Sequence, residues 1–80
     1  MTPAKREPDL STYSGRFAAR LRELREKAKL SQTELAAKLG VTQLAVSKWE
    51  TARTRPSIEM LPALAAALNL KKAKDVLPNE

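Results

Sequence analysis

Gly40 constrains the fold of this chain more than any other residue, because of what stands on either side of it. In Gln32–Trp49, QTELAAKLGVTQLAVSKW, the apolar residues Leu35, Leu39, Val41, Val46 and Trp49 meet in one wedge if a helix stops at Leu39 and another starts after Thr42. Ala36 stands where two such helices would cross, and a larger side chain there would push them apart. Gly40 follows the last apolar residue of the first helix, where the chain must turn through a left-handed conformation that penalises a Cβ. A small residue, a glycine and five apolar residues in register over eighteen positions rarely coincide in an unrelated helical hairpin.

That geometry is a helix-turn-helix, and the flanking sequence supplies helices to pack on it. Phe17, Leu21, Leu24 and Ala28, at spacings of four, three and four, mark an amphipathic helix from Arg16 to about Lys29 with Arg and Glu on its outer face. Ser31 caps the next helix, with Glu34 placed for a capping box. Thr42 caps the third, which runs to about Ala52. Arg53 to Pro56 is a basic loop, since the residue before a proline avoids the helical region. Ser57 is placed to cap a fourth helix whose inner face would be Ile58, Leu61, Leu64, Ala65 and Leu68, with Pro62 moving its regular part toward Met60. Asn69 stands where a C-terminal glycine would, and it is the side chain that best tolerates the left-handed turn. Residues 71–77, KKAKDVL, form a short fifth helix anchored by Val76 and Leu77. Residues 1–14, with Pro3, Pro8 and little periodic apolarity, are expected to be a flexible arm before a single domain over 15–78.

Composition narrows the functions open to such a domain. Eighty residues allow one small core. There is no cysteine and no histidine, which removes disulfides, the usual zinc sites and the commonest general base. No paired nucleophile and base is apparent, so the chain is expected to be no enzyme and to need no cofactor or metal. No apolar run could span a bilayer and the N-terminus has no signal-peptide core, so the expected location is cytoplasmic, with no membrane partner. The whole formal charge of +6 lies between Arg16 and Arg55, which holds ten Lys or Arg against four Glu. A basic surface concentrated there suits a polyanion, because each neutralised phosphate releases condensed counterions.

The segment LRELREKAKLSQTELAAKLGVTQLAVSKWETARTRPSIEMLPALAAALNL resembles the DNA-binding domain of phage repressors and of xenobiotic-response-element regulators, over about Phe17 to Leu77. The matching elements are LSQTELA, GVTQ, SKWE, the RPS loop and AAALNL. The resemblance implies an all-α, compact five-helix domain in which helices two and three form the motif and the third lies in the major groove. It also implies that Arg25 and Glu50 form a partly buried ion pair. Two positions depart from the pattern. Ala52 replaces the usual Gly or Asn, which would lengthen the third helix or alter the loop carrying Arg53 and Arg55, and Asn69 replaces the usual Gly.

With Val46 and Trp49 turned inward, Gln43, Leu44, Ser47 and Lys48 are left on the outer surface as candidate base readers. Gln43 would pair with adenine through its amide, Lys48 would reach guanine O6 and N7, and Leu44 would pack on a thymine methyl. Trp49 belongs to the core, with stacking on a base as the alternative. Candidate phosphate contacts are Gln32 at a helix N-terminus, Thr42 beside its capping role with a plain cap as the alternative, and Arg53 and Arg55 in the loop. The expected partner is double-stranded DNA, bound by a homodimer whose pairing edge would be the apolar residues near Leu70, Val76 and Leu77. The function expected is a transcriptional regulator that represses. The alternative is an antitoxin that uses the same domain on its own operator while gripping a toxin.

Overall fold

The structure, a computed structural model, describes residues 9–78; residues 1–8 of the expected arm lie outside the described residues. Among the described residues there are four α-helices: α1 (Tyr13–Lys27), α2 (Gln32–Leu39), α3 (Gln43–Glu50) and α4 (Leu61–Ala67). Single 3-10 turns occupy Ile58–Met60 and Ala73–Val76, and no described residue is in a strand.

The first three helices start on side-chain caps. Thr42 Oγ1 accepts a hydrogen bond from the Ala45 amide at 3.1 Å. The capping box on α2 is complete, with the Glu34 amide donating to Ser31 Oγ at 3.0 Å and the Ser31 amide to Glu34 Oε1 at 2.8 Å. Helix α1 begins three residues before Arg16, because Thr12 Oγ1 accepts from the Gly15 amide at 2.9 Å and so provides an earlier start. The turn from Asp9 to Thr12 then lies against the first turn of α1, so close that a Cβ on Gly15 would collide with the Asp9 carbonyl. Ser57 makes no side-chain cap bond. Pro62 stands in the first turn of α4, where its missing N–H costs nothing, and the regular helix starts at Leu61 as the proline requires.

All four α-helices end in the same way. Lys29, Gly40, Ala52 and Asn69 adopt left-handed φ of 62°, 72°, 63° and 62°. The amide after each one reaches back five residues: Leu30 to Arg25 O, Val41 to Ala36 O, Arg53 to Lys48 O and Leu70 to Ala65 O, at 2.8–3.2 Å. These bonds satisfy carbonyls that a helix end otherwise leaves without partners. Only one of the four turns carries a glycine. Ala52 therefore closes α3 at Glu50, and the third helix is not lengthened.

The helices enclose one core of Phe17, Leu21, Leu24, Leu35, Ala36, Val46, Trp49, Leu64, Ala65, Leu68 and Val76, with Leu39 and Val41 packed at its edge. Trp49 is thus a core residue. Four expectations need correction. Residues 9–14 are not part of an arm, since Asp9–Thr12 form a turn on α1 and Tyr13 and Ser14 belong to that helix, started early by the Thr12 cap. The fifth helix is a single 3-10 turn, because Lys72 and Leu77 are both extended, Leu77 preceding Pro78, and only four residues remain between them. Ile58 is 83% exposed and does not line the inner face of α4, since it belongs to the 3-10 turn before that helix. Val76 is fully buried and is not available as a pairing edge.

Candidate nucleic-acid interface

A chain of side-chain hydrogen bonds runs from inside the domain to its surface where the N-termini of α2 and α3 lie side by side. Arg25 on α1 donates from Nε to Glu50 Oε2 at 2.6 Å and from Nη2 to Glu50 Oε1 at 3.1 Å, a two-point pair whose side chains are 11% and 3% exposed. The Arg25 Nη1 group also donates to the Leu30 carbonyl at 2.7 Å, tying the pair to the loop before α2. Glu50 Oε1 accepts a third bond from Gln32 Nε2 at 3.0 Å. Gln32 Oε1 in turn accepts from Gln43 Nε2 at 2.6 Å, which brings the chain to solvent. A buried charge pair of this kind is costly to break on one side, because the remaining charge loses both water and partner.

The structure brings Gln32, Thr42, Gln43 and Leu44 to one end of the motif. Gln43 and Leu44 are the first two residues of α3, both exposed, and Leu44 is 58% exposed with no place in the core. Gln32 opens α2 and is half-buried by its bonds to Glu50 and Gln43. Thr42 is occupied as the cap of α3, and its side chain remains exposed. Ser47 and Lys48 lie in the second turn of α3 and are half-buried. Their carbonyls are used at the helix end: both accept from Thr51 Oγ1, and the Lys48 carbonyl also accepts the Arg53 and Thr54 amides. Arg53 and Arg55 are exposed on the loop folded back by these bonds, at the opposite end of α3 from Gln43. Among the described residues no group of three or more His, Cys, Asp or Glu is placed to hold a metal ion. Nor is any described helix long and apolar enough to cross a membrane.

A family model described as helix-turn-helix matches residues 21–74 of this architecture. The chain belongs to the helix-turn-helix family. Within it the domain is similar to phage repressors. It is 43% identical over 49 residues to the repressor protein C2 of Salmonella phage P22, a match that covers 61% of this chain and 23% of that protein, so the chain spans about a quarter of that relative. Among solved structures it is similar to the P22 c2 repressor in complex with a synthetic operator, with 36% identity, 76% of this chain and 91% of that one covered and a TM-score of 0.69. It is also similar to the restriction-modification controller protein C.AhdI from Aeromonas hydrophila, at 32% identity, 78% and 92% coverage and a TM-score of 0.72.

Sequence reasoning gives Gln32 and Gln43 separate roles and misses the bond between them. No periodicity links residues eleven apart on two helices. The available signal is that each glutamine is the first residue of its helix, and in a helix-turn-helix these two ends are neighbours. The donation from Gln32 to Glu50 is missed as well, although the Arg25–Glu50 pair is expected and is present.

Proposed function

We propose that this helix-turn-helix domain is a sequence-specific DNA-binding regulator that acts as a repressor and reads the major groove with α3. The observation that carries the proposal is the joined pair Gln32 and Gln43 beside an exposed Leu44. Together they form a compact edge of amide and methyl groups at the leading end of a helix, on a surface with no use for them in the core. Gln43 and Leu44 would contact bases, followed by Ser47 and Lys48 from the second turn. Gln32, Thr42, Arg53 and Arg55 would hold phosphates on either side, using helix N-termini at one end and loop arginines at the other. Similarity to a phage repressor and to a restriction-modification controller supports a regulator over the antitoxin alternative, and nothing in the site calls for catalysis. The setting is cytoplasmic.

The domain would bind as a homodimer, since one recognition helix reads only a few base pairs, with half-sites about 34 Å apart on the duplex. With Val76 buried, pairing falls to the apolar surface around Tyr13, Ile58, Leu61 and Leu77, which line an open groove of about 620 Å³ beside Arg53 and Arg55. The unit that binds would include the whole of α1 with its Thr12 cap and run to residue 78. In vitro selection of bound duplexes from random DNA tests the whole reading: a twofold-repeated site supports it, and recovery of unselected sequence refutes it.

A further inference from the structure

We infer that the open groove between the start of α1 and the loop after α3 binds a small amphipathic anion, a carboxylate with an acyl or aryl body, and that its occupancy releases the domain from DNA. Release depends on the reading of Arg53 and Arg55 as phosphate contacts; binding in the groove does not. The groove, of about 620 Å³, falls within the range of about 300–1,000 Å³ that small-molecule sites occupy. Phe17 and Leu61 line it from α1 and α4, joined by Tyr13, Ile58 and Leu77. Ile58 is 83% exposed, the most of any large apolar side chain among the described residues, so apolar area here is left in water.

Arg53 and Arg55 line the same groove. Arg16, Arg20, Arg22 and Arg25 each hold a carbonyl or carboxylate of this chain. Neither Arg53 nor Arg55 makes a side-chain hydrogen bond or ion pair with a described residue. No acidic residue lines the groove to neutralise them. Apolar surface beside two unpartnered guanidinium forks matches a ligand with an apolar body and one carboxylate. The body would displace water from Ile58 and Leu61, and the carboxylate would accept two parallel N–H bonds from an arginine. A second copy fits the free groove less well. Twofold pairing brings the same patch from both partners to one seam, where arginines meet with no acid among them, and only DNA phosphate would relieve that charge. Ligand and DNA therefore compete for the same arginines, and the ligand also occupies the apolar surface assigned to pairing.

The test adds decanoate to the full 80-residue chain and follows methyl and amide shifts by NMR. Decanoate should bind one to one with a Kd of about 0.01–0.3 mM. It should move Tyr13, Ile58, Leu61 and Leu77, and not Leu10 or Leu44, which are also exposed but have no place in the groove. Acetate, the head alone, and decyltrimethylammonium, the same chain with the opposite charge, should bind at least about tenfold more weakly. Ile58→Ser and Arg55→Gln should each weaken decanoate by about three- to tenfold. Equal shifts at Leu10 and Leu44, or a cation that binds as well as decanoate, would reduce the effect to adsorption on apolar surface and overturn the site. A free protein that sediments as a dimer with these residues at its interface would make a second copy the occupant, and overturns it too. At saturation decanoate should weaken binding to a random duplex about three- to tenfold and lower the salt slope by about one unit, with a larger loss on a twofold site, where pairing is blocked as well. Failure of the binding arm leaves α3 as the reader. A filled groove with unchanged DNA affinity overturns release; if Arg55→Gln is also without effect on DNA, the phosphate reading of the loop is what failed.

Discussion

Replacing Ala52 with glycine should make this domain more stable, against the usual direction for an alanine near a helix end. Ala52 has φ of 63° and closes α3 by delivering the Arg53 amide to the Lys48 carbonyl at 3.0 Å. An L-residue with a Cβ carries a penalty of roughly 1–2 kcal/mol in that conformation. Glycine removes the penalty but returns about 0.4–1 kcal/mol through the greater freedom of its unfolded chain. The net gain is about 0.5–1 kcal/mol, and at this chain length each kcal/mol moves Tm by about 4–8 °C, so thermal unfolding followed by circular dichroism should show a rise of about 2–8 °C. Gly40→Ala is the mirror experiment. Gly40 has φ of 72° and a Cβ there would meet nothing within 4 Å, so no packing contact offsets or adds to the strain. Its Tm should fall by a similar amount, and the double variant should lie close to wild type because the two turns share no partners. A lower Tm for Ala52→Gly would refute the left-handed closure of α3, and with it the placement of the Arg53–Pro56 loop.

Three further outcomes test the site and its support. Gln43→Ala and Lys48→Ala should each lose roughly 1–3 kcal/mol on the selected site and little on random duplex, whereas Arg53→Ala and Arg55→Ala should weaken both and lower the salt slope by about one unit each; titrations on the two DNAs at several salt concentrations separate these classes, and a Gln43→Ala protein that behaves like Arg53→Ala refutes base reading by Gln43. Arg25→Met alone should cost about 3–5 kcal/mol in urea unfolding because Glu50 is left charged and buried, while adding Glu50→Met should recover much of the loss; equal losses in the single and double variants would mean the pair matters only as packing. Gly15→Ala should displace the Asp9 turn, the loss of about 1 kcal/mol from the Thr12 cap being largely offset by the gain of about 0.4–1 kcal/mol from alanine in α1, so the readout is faster amide exchange at position 15 with little change in Tm; unchanged exchange there would show that the turn does not pack on α1.

Local chemistry makes the motif legible from the order of residues alone. Gly40 between two apolar runs, Ser31 with Glu34, Thr42 as a cap and Pro62 in a first turn each act within a few residues, and all appear where the sequence puts them. Asn69 is legible for the same reason, as a side chain that tolerates φ of 62°. Lys29 and Ala52 adopt the same conformation with no such signature, because there the six-residue closing bond and the packing beyond it outweigh a local preference of about 1–2 kcal/mol. Burial likewise depends on the assembled fold: Ile58 and Val76 carry equally apolar side chains, yet the turn before α4 points one to solvent while the last turn seals the other beneath α1 and α4. The chain of hydrogen bonds from Arg25 through Glu50 and Gln32 to Gln43 belongs wholly to the tertiary structure. Residue types and spacing decide which groups can donate or accept, but only the packing of three helices sets them within hydrogen-bond reach of one another.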